Sequence, residues 1–209
     1  MGRYAAAEGE ARISHAVWET LAEAGIEGTT IRSVAERAEC TTGMIMHRFG
    51  SREHMLRHAR ELLFLRTAAR ADAAEASTPD PVSRLEAVLA GVLTLDDEQR
   101  QEARIWMGFA AASLRDETLR EAHISGTRSW LQRITRLLRA CVEHVEHSAL
   151  ARAAMTLVAV AEGLAALSAL DPDTYTRDAQ RRALATEIAE TIGRLRSEKR
   201  PRAGDDGGM

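Results

Sequence analysis

The stretch from Thr29 to Phe49, TTIRSVAERAECTTGMIMHRF, constrains the fold more than any other part of the chain. Apolar residues recur at helical spacing in two short segments, residues 31–38 and 42–49. Thr30 can cap the first helix and either Thr41 or Thr42 the second, and Glu39 and Cys40 lie at the break between them. The pattern predicts two short helices joined by a tight turn, a helix-turn-helix whose second helix reads DNA.

This second helix is expected to present one face to solvent. Burying Ile45 leaves Gly43 and His47 on the opposite side, with Met44 and Met46 on the flanks. Phosphate contacts would fix the register of the protein, and exposed side chains would read base edges in the major groove. We assign Thr30, Thr41, His47 and Arg52 to phosphates and Thr42, Met44 and Met46 to base edges, with Gly43 allowing close backbone approach and Arg48 suited to either role.

Charge gives local rather than global support for this prediction. The net charge is -3 and the isoelectric point is near 6.2, values that do not by themselves indicate nucleic-acid binding. Residues 46–70, however, carry six arginines against two glutamates. Arg3 and Tyr4 are further candidates for a minor-groove contact, with an ordinary frayed terminus as the alternative.

The composition favours an all-α fold. The chain is 45% hydrophobic, has only 4 prolines, and is rich in alanine, leucine, glutamate and arginine. Helical periodicity continues to the C-terminal region and predicts about nine helices, the fifth ending at Asp96–Asp97 and the seventh at about His147. We expect a three-helix domain in residues 1–50, a second helical domain in residues 51–197, and a disordered tail in residues 198–209.

The N-terminal pattern resembles the TetR family of one-component bacterial transcription regulators. The likeness lies in Thr29-Thr30, the helix from Ile31 to Ala38, Gly43, Ile45, His47, Phe49 and Ser51-Arg52-Glu53. Met46 and Arg48 stand where that family often has tyrosines, and Glu39 stands where glycine usually makes the turn. The resemblance implies a ligand-responsive regulator, in most such proteins a repressor, that binds a palindromic double-stranded operator.

The C-terminal half resembles the subgroup that contains the choline-responsive BetI repressors, through residues 106–114, Leu119, the Trp130 helix, and the segments 162–164 and 170–172. This resemblance implies an effector-binding and dimerisation domain without identifying the small molecule. The large or unusual side chains predicted for the effector pocket are Trp106, Phe109, Trp130, Ile134, Met155 and Glu162. Glu162 would meet either a cationic effector or an arginine of its own chain.

A homodimer is expected because one helix-turn-helix reads few base pairs. The eighth predicted helix is rich in small residues, and the ninth carries an aliphatic stripe. Together they are expected to form a four-helix interface. The residues predicted for this interface are Ala161, Ala165, Ile188, Ile192 and Leu195.

Other functions receive less support from the residues. No G-x-G-x-x-G, P-loop, G-x-S-x-G or H-E-x-x-H motif is present, so no enzyme and no cofactor are expected. An all-helical enzyme without a recognisable motif and a dimeric protein-interaction module remain the alternatives. A metal site at Cys141, Glu143, His144 and His147 is less favoured than a solvated helix face.

The expected location is the cytoplasm. The N-terminal region lacks the charged and then apolar pattern of a signal peptide, and two distant cysteines suit a reducing compartment. The most apolar run, residues 149–170, carries Arg152 and Glu162. We therefore expect it to be a buried core helix rather than a membrane span.

Overall fold

The computed structural model describes the backbone of residues 2–198 and the side chains of residues 8–197. Within that range the chain forms helices and no strand, as the composition predicts. The helices are α1 (Gly2–Gly28), α2 (Ile31–Arg37), α3 (Thr42–Phe49), α4 (Arg52–Ser77), α5 (Pro81–Ala90), α6 (Asp97–Ser113), α7 (Glu117–Cys141), α8 (His147–Leu170) and α9 (Arg177–Glu198). The side chains of Arg3 and Tyr4 and the tail from residue 199 lie outside the described residues.

The chain divides into two compact units. The first comprises the chain up to Arg66 together with Gln101–Gly126, and the second comprises Thr67–Arg100 and the chain from Thr127 onward. The boundaries between the units thus fall within α4, α6 and α7. They differ from the boundary between functional domains that was predicted after residue 50. The division of roles between residues 1–50 and 51–197 stays a prediction.

The core of the first unit forms around α1. Its side chains at helical spacing, Ile13, Val17 and Leu21, are at most 5% exposed and pack with apolar residues of α2, α3 and α4. The helix is interrupted at Gly25, which has a φ of +66°, a conformation that glycine adopts without strain. The α1 stripe therefore supplies the surface on which the two shorter helices are built.

The core of the second unit is formed mainly by α5, α7, α8 and α9. Helix α8 is long and apolar enough to cross a membrane by length and composition. Nine of its residues are buried, however, and several of them belong to this core. The burial agrees with the expectation of a core helix.

Two helices end earlier than their periodicity predicts. Helix α5 ends at Ala90 because the chain turns at Gly91, and the backbone N–H of Thr94 then bonds to Gln180 Oε1 at 3.1 Å. Helix α7 ends at Cys141, whose carbonyl oxygen accepts a hydrogen bond from Arg196 at 3.1 Å. The apolar residues beyond each end continue the helical spacing but belong to turns, so the predicted ends near Asp96–Asp97 and His147 were wrong.

Candidate DNA-reading surface

Local hydrogen bonds fix the starts of α2 and α3. Thr30 Oγ1 accepts from the backbone N–H of Ser33 at 3.0 Å, and Ser33 Oγ accepts from the N–H of Thr30 at 2.9 Å. This reciprocal capping box begins α2. Thr41 caps α3 in the simpler way, its Oγ1 accepting from Met44 N at 3.3 Å. The Thr30 cap was predicted, and Thr41 is one of the two threonines, Thr41 and Thr42, that the sequence allowed at the start of α3.

The turn between α2 and α3 uses a left-handed residue. Glu39 has a φ of +50°, and the N–H of Cys40 bonds to the carbonyl of Ala35 at 3.0 Å. A residue with a Cβ atom adopts this conformation at a cost that glycine avoids. The chain nevertheless reverses at the predicted place, and α3 follows after one further residue.

Helix α3 has one buried side and one exposed side. Ile45 is 0% exposed and packs into the core of the first unit, while Met44 is 48% and Met46 44% exposed. Thr42, Gly43 and His47 are exposed as well. The outward face predicted from helical geometry is therefore present, although its role in reading bases stays a prediction.

The exposed face borders an open groove of about 850 Å³. The groove is lined by Gly9, Glu10 and Ile13 of α1, by Thr41 and by Gly43, Met44, His47, Arg48 and Phe49 of α3, and by His58 of α4. Thus five residues predicted to meet DNA line one continuous concave surface together with Gly9, Glu10 and Ile13 of α1.

The two arginines predicted to meet DNA are engaged within the protein. Arg52 donates from Nε to the carbonyl oxygen of Thr29 at 2.8 Å and from its terminal nitrogen to that of Ile26. Arg48 lies 3.3 Å from both Glu10 Oε2 and Ser14 Oγ. Sequence reasoning missed these contacts, because a helical pattern does not show what a long side chain reaches in three dimensions.

His58 joins the same part of the first unit. Its Nε2 lies 3.0 Å from Ser14 Oγ, and its ring centroid lies 5.3 Å from that of Phe49. Burial lowers the pKa of His58, and the nearby Arg48 cation lowers it further, against a smaller opposing effect of Glu61. The sequence contains one indication that His58 is partly buried. It directly precedes Ala59, which belongs to the apolar stripe of α4.

The predicted effector residues fall into two groups. Trp106 and Phe109 belong to the first unit, where Phe109 is buried and the Trp106 ring centroid lies 4.1 Å from the Arg60 guanidinium. The residues in the second unit are Trp130, Ile134, Met155 and Glu162. Among these Ile134 is buried, Trp130 and Glu162 are half-buried, and Met155 is exposed. Their function as a pocket stays a prediction.

Burial corrects the residues predicted for the dimer interface. The five side chains, Ala161, Ala165, Ile188, Ile192 and Leu195, are each at most 5% exposed within a single chain. Four of them lie in the core of the second unit. Side chains already buried in their own chain have almost no surface left to give a partner, so an interface on α8 and α9 must use the opposite faces of these helices.

The candidate metal ligands do not form a described cluster. Across the residues searched, no three His, Cys, Asp or Glu side chains lie together as a metal ion would need. Cys141 is buried, and its thiol lies 3.3 Å from the Leu137 carbonyl oxygen. Burial is the main reason that the pKa of this thiol is raised, which disfavours the thiolate that binds metals.

A capped short helix with one exposed face, set behind a left-handed turn and packed on the core of the first unit, is the arrangement of a helix-turn-helix DNA-binding protein. Comparison with known proteins agrees. Residues 13–59 match the family model of bacterial regulatory proteins of the tetR family, and residues 81–193 match that of the BetI-type transcriptional repressor, C-terminal.

Curated relatives carry the same description. The chain is 30% identical over 165 residues to the HTH-type transcriptional regulator BetI of Paraburkholderia phymatum, covering 75% of this chain and 79% of the relative. It is 34% identical over 163 residues to BetI of Burkholderia cenocepacia, covering 75% and 76%. The chain therefore belongs to the TetR family and has a BetI-type C-terminal domain. It is a DNA-binding transcriptional regulator and not an enzyme, as predicted.

Solved structures share the fold. A transcriptional regulator from Rhodococcus sp. Rha1 superposes with a TM-score of 0.79 at 25% identity, over 87% of this chain and 95% of that one. A putative transcriptional regulator from Saccharomonospora viridis, solved in complex with choline, gives a TM-score of 0.78 at 20% identity, over 88% and 96%.

Proposed function

We propose that the protein is a cytoplasmic repressor that binds a palindromic operator as a homodimer and is released from it by a small-molecule effector. The observation that carries the proposal is the exposed face of α3 around the buried Ile45. Thr42, Met44 and Met46 stand on or beside this face, where they would meet base edges. The two methionines suit apolar contact with thymine methyl groups.

Phosphate contacts would come from the residues around this face. Thr30, Thr41 and His47 are exposed, and each lies on or directly before one of the two short helices. Arg52 has donors beyond those that bind the carbonyls of Ile26 and Thr29, because a guanidinium carries five N–H groups. Phosphate contacts of this kind hold the protein in register, while α3 supplies the selectivity.

The proposed dimer interface lies on the exposed side of α8. Met155, Leu167 and Leu170 are 59%, 44% and 74% exposed and follow one side of the helix with Ala159 between them. Gly163 lies on the same side, and a Cβ atom added there would meet nothing within 4 Å. The surface is therefore apolar and low enough for a second helix to approach closely.

Helix α9 offers a compatible surface beside it. Ala189 and Gly193 are exposed and lie one turn apart, on the side of α9 next to the buried Ile188 and Ile192. Packing α8 and α9 against the same pair of a second copy would form a four-helix interface with two-fold symmetry. Such a dimer would present two copies of α3 to two operator half-sites.

The effector is proposed to bind in the domain formed by residues 51–197. The fold neighbour from Saccharomonospora viridis is solved with choline, which makes this cation the first compound to test. In the second unit, Trp130 and Glu162 are half-buried and supply the aromatic face and the carboxylate that a quaternary ammonium group prefers. The effector releases the protein from DNA only if it binds more tightly to the conformation that does not fit the operator than to the conformation that does.

Selection of bound sequences from a random duplex pool tests the proposed DNA reading. The purified protein should enrich a palindromic motif, and the double variant Met44→Ala, Met46→Ala should enrich a different one. Absence of any enriched motif with the wild-type protein would contradict the proposal. A motif that is identical for the wild type and the double variant would remove these methionines from base recognition.

The dimer is tested with a charge on the α8 surface. Leu167→Arg should yield monomers in sedimentation and lose binding to the full palindrome. The matched control is Leu65→Arg, which alters a 61% exposed leucine of α4 in the first unit and should stay dimeric. An unchanged dimer in the Leu167 variant would place the interface elsewhere.

The effector is tested by adding choline chloride to the operator complex. Release should exceed that caused by an equal concentration of sodium chloride, because salt alone weakens protein–DNA complexes. Glu162→Gln should need more choline for the same release. Equal release by the two salts would exclude choline as the effector, and a small panel of other quaternary ammonium compounds would then be compared in the same way.

A further inference from the structure

Arg48 turns away from the exposed face of α3 toward α1. One terminal nitrogen of its guanidinium lies 3.3 Å from Glu10 Oε2, and the other donates to Ser14 Oγ at 3.3 Å. Its central carbon lies 5.3 Å from the centroid of the Phe49 ring. The Arg48 side chain is only 22% exposed, so most of it is packed within the first unit.

The contact continues from Ser14 to α4. Arginine only donates hydrogen bonds, so the Ser14 hydroxyl accepts from Arg48 and can give its own proton to His58 Nε2, 3.0 Å away. The lowered pKa of His58 favours the neutral ring that such an acceptor requires. One hydrogen-bonded chain thus joins three helices, from Arg48 of α3 through Ser14 of α1 to His58 of α4.

We propose that Arg48 is a positioning residue, which fixes the orientation of α3 against α1 and α4 through Ser14 instead of contacting DNA. The proposal rests on the proposed base-reading role of α3. Ile45 is fully buried, and Phe49 one turn later packs partly against the same core, so the apolar contacts of this eight-residue helix lie along a single stripe. The forked guanidinium supplies a second anchor with two separate contacts.

The Glu10 contact argues against a phosphate role for Arg48. The Glu10 side chain is 67% exposed and lines the same groove as the residues predicted to meet DNA. Its carboxylate would repel a phosphate group unless a cation lay beside it. With Arg48 in place the pair presents little net charge to the duplex. Moving Arg48 onto a phosphate would break this pair and the Ser14 hydrogen bond together.

The decisive measurement compares operator and scrambled duplexes over a range of salt concentrations. Ser14→Ala, and Arg48→Met made in a Glu10→Gln background so that no unpaired carboxylate is left in the groove, should each reduce the preference for the operator by about tenfold. Binding to the scrambled duplex and its salt dependence should stay as in the protein from which each variant is made. Arg139→Met, which removes a charge from α7 in the second unit, is the control and should keep the preference.

A phosphate contact predicts a different result. Arg48→Met would then weaken both duplexes alike and lower the slope of log affinity against log salt by about one, while Ser14→Ala would behave as the wild type. Arg48→Lys separates the two roles again, because a single ammonium group replaces a phosphate contact more readily than it replaces the two arms of the fork. The positioning role predicts that Arg48→Lys loses the operator preference.

Methyl NMR of the free protein separates this proposal from the DNA-reading proposal. Ser14→Ala should shift the ε-methyl signals of Met44 and Met46, although Ser14 lies on a different helix, and Arg139→Met should leave them in place. Unshifted methyl signals in the Ser14 variant would overturn the positioning role. A wild-type protein that prefers no duplex would instead overturn the proposed function, and the methyl signals would still decide the role of Arg48.

Discussion

Helix α3 leaves five of its eight residues exposed, whereas α8 buries nine of its twenty-four, six of them in the core of the second unit. The shorter helix is held by the Thr41 cap, by Ile45 and by the contacts of Arg48. The longer helix is held by many apolar contacts, each replaceable in part by its neighbours. Helix α3 therefore depends on a few specific groups, and α8 depends on its total buried area.

The largest effect is expected from removing the apolar anchor of α3. Ile45→Ala should lower the free energy of unfolding of the first unit by about 2–5 kcal/mol, because it leaves a cavity at a fully buried site. Denaturant unfolding and amide exchange of α3 measure the change. Met46→Ala on the exposed face is the control and should cost less than about 0.5 kcal/mol. Equal losses of stability in the Ile45 and Met46 variants would contradict the assignment of one buried and one exposed face to α3.

A second variant tests a buried hydrogen-bond network of the second unit. The Gln180 side chain accepts from the Thr94 N–H at 3.1 Å and donates to Ser168 Oγ at 2.9 Å, and all three residues are at most 1% exposed. Gln180→Ala would strand the buried N–H, and it should cost about 1–3 kcal/mol in the free energy of unfolding, measured with denaturant. The exposed change Arg181→Ala should be nearly neutral, and similar losses in both variants would refute the account.

The smallest effect is expected at the turn before α3. Glu39→Gly should raise the free energy of unfolding by about 1 kcal/mol, since glycine accepts the φ of +50° without the strain of a side chain. Glu36→Gly, inside α2, should lower it by about 1 kcal/mol, because there glycine only adds backbone entropy to the unfolded state. A melting temperature that rises in Glu39→Gly and falls in Glu36→Gly would confirm the strain at Glu39.

The sequence predicted which side of α3 is exposed, but it did not predict which side of α8 faces the core. In α3 a polar break, capping threonines and one anchoring isoleucine indicate both the helix and its exposed side. In α8 nearly every side is apolar, so hydropathy cannot show which side faces the core, and Ala161 and Ala165 were assigned to the wrong side for this reason. The helix was predictable from local pattern, but its orientation depends on tertiary packing.

The hydrogen-bond partners of long polar side chains were the second feature that the sequence did not predict. The sequence assigned Arg52 to phosphate contact, but its hydrogen bonds to the carbonyls of Ile26 and Thr29 depend on the backbone that follows the kink at Gly25 and on the path of α4. Gln180 did carry a signal, because it precedes Leu184 and Ile188 at intervals of four residues on the buried stripe of α9. A polar residue in such a stripe indicates a buried hydrogen-bond network even when its partners are unknown.

The exposed methionines of α3 have a consequence for changing the target of this regulator. Met44 and Met46 contribute little to the core, whereas Ile45 between them is fully buried. A library in which codons 44 and 46 are randomised and codon 45 is kept should therefore consist mostly of folded proteins. On the proposed base-reading role of α3, such a library would allow genetic selection of variants that bind new operators, with the rest of the chain unchanged.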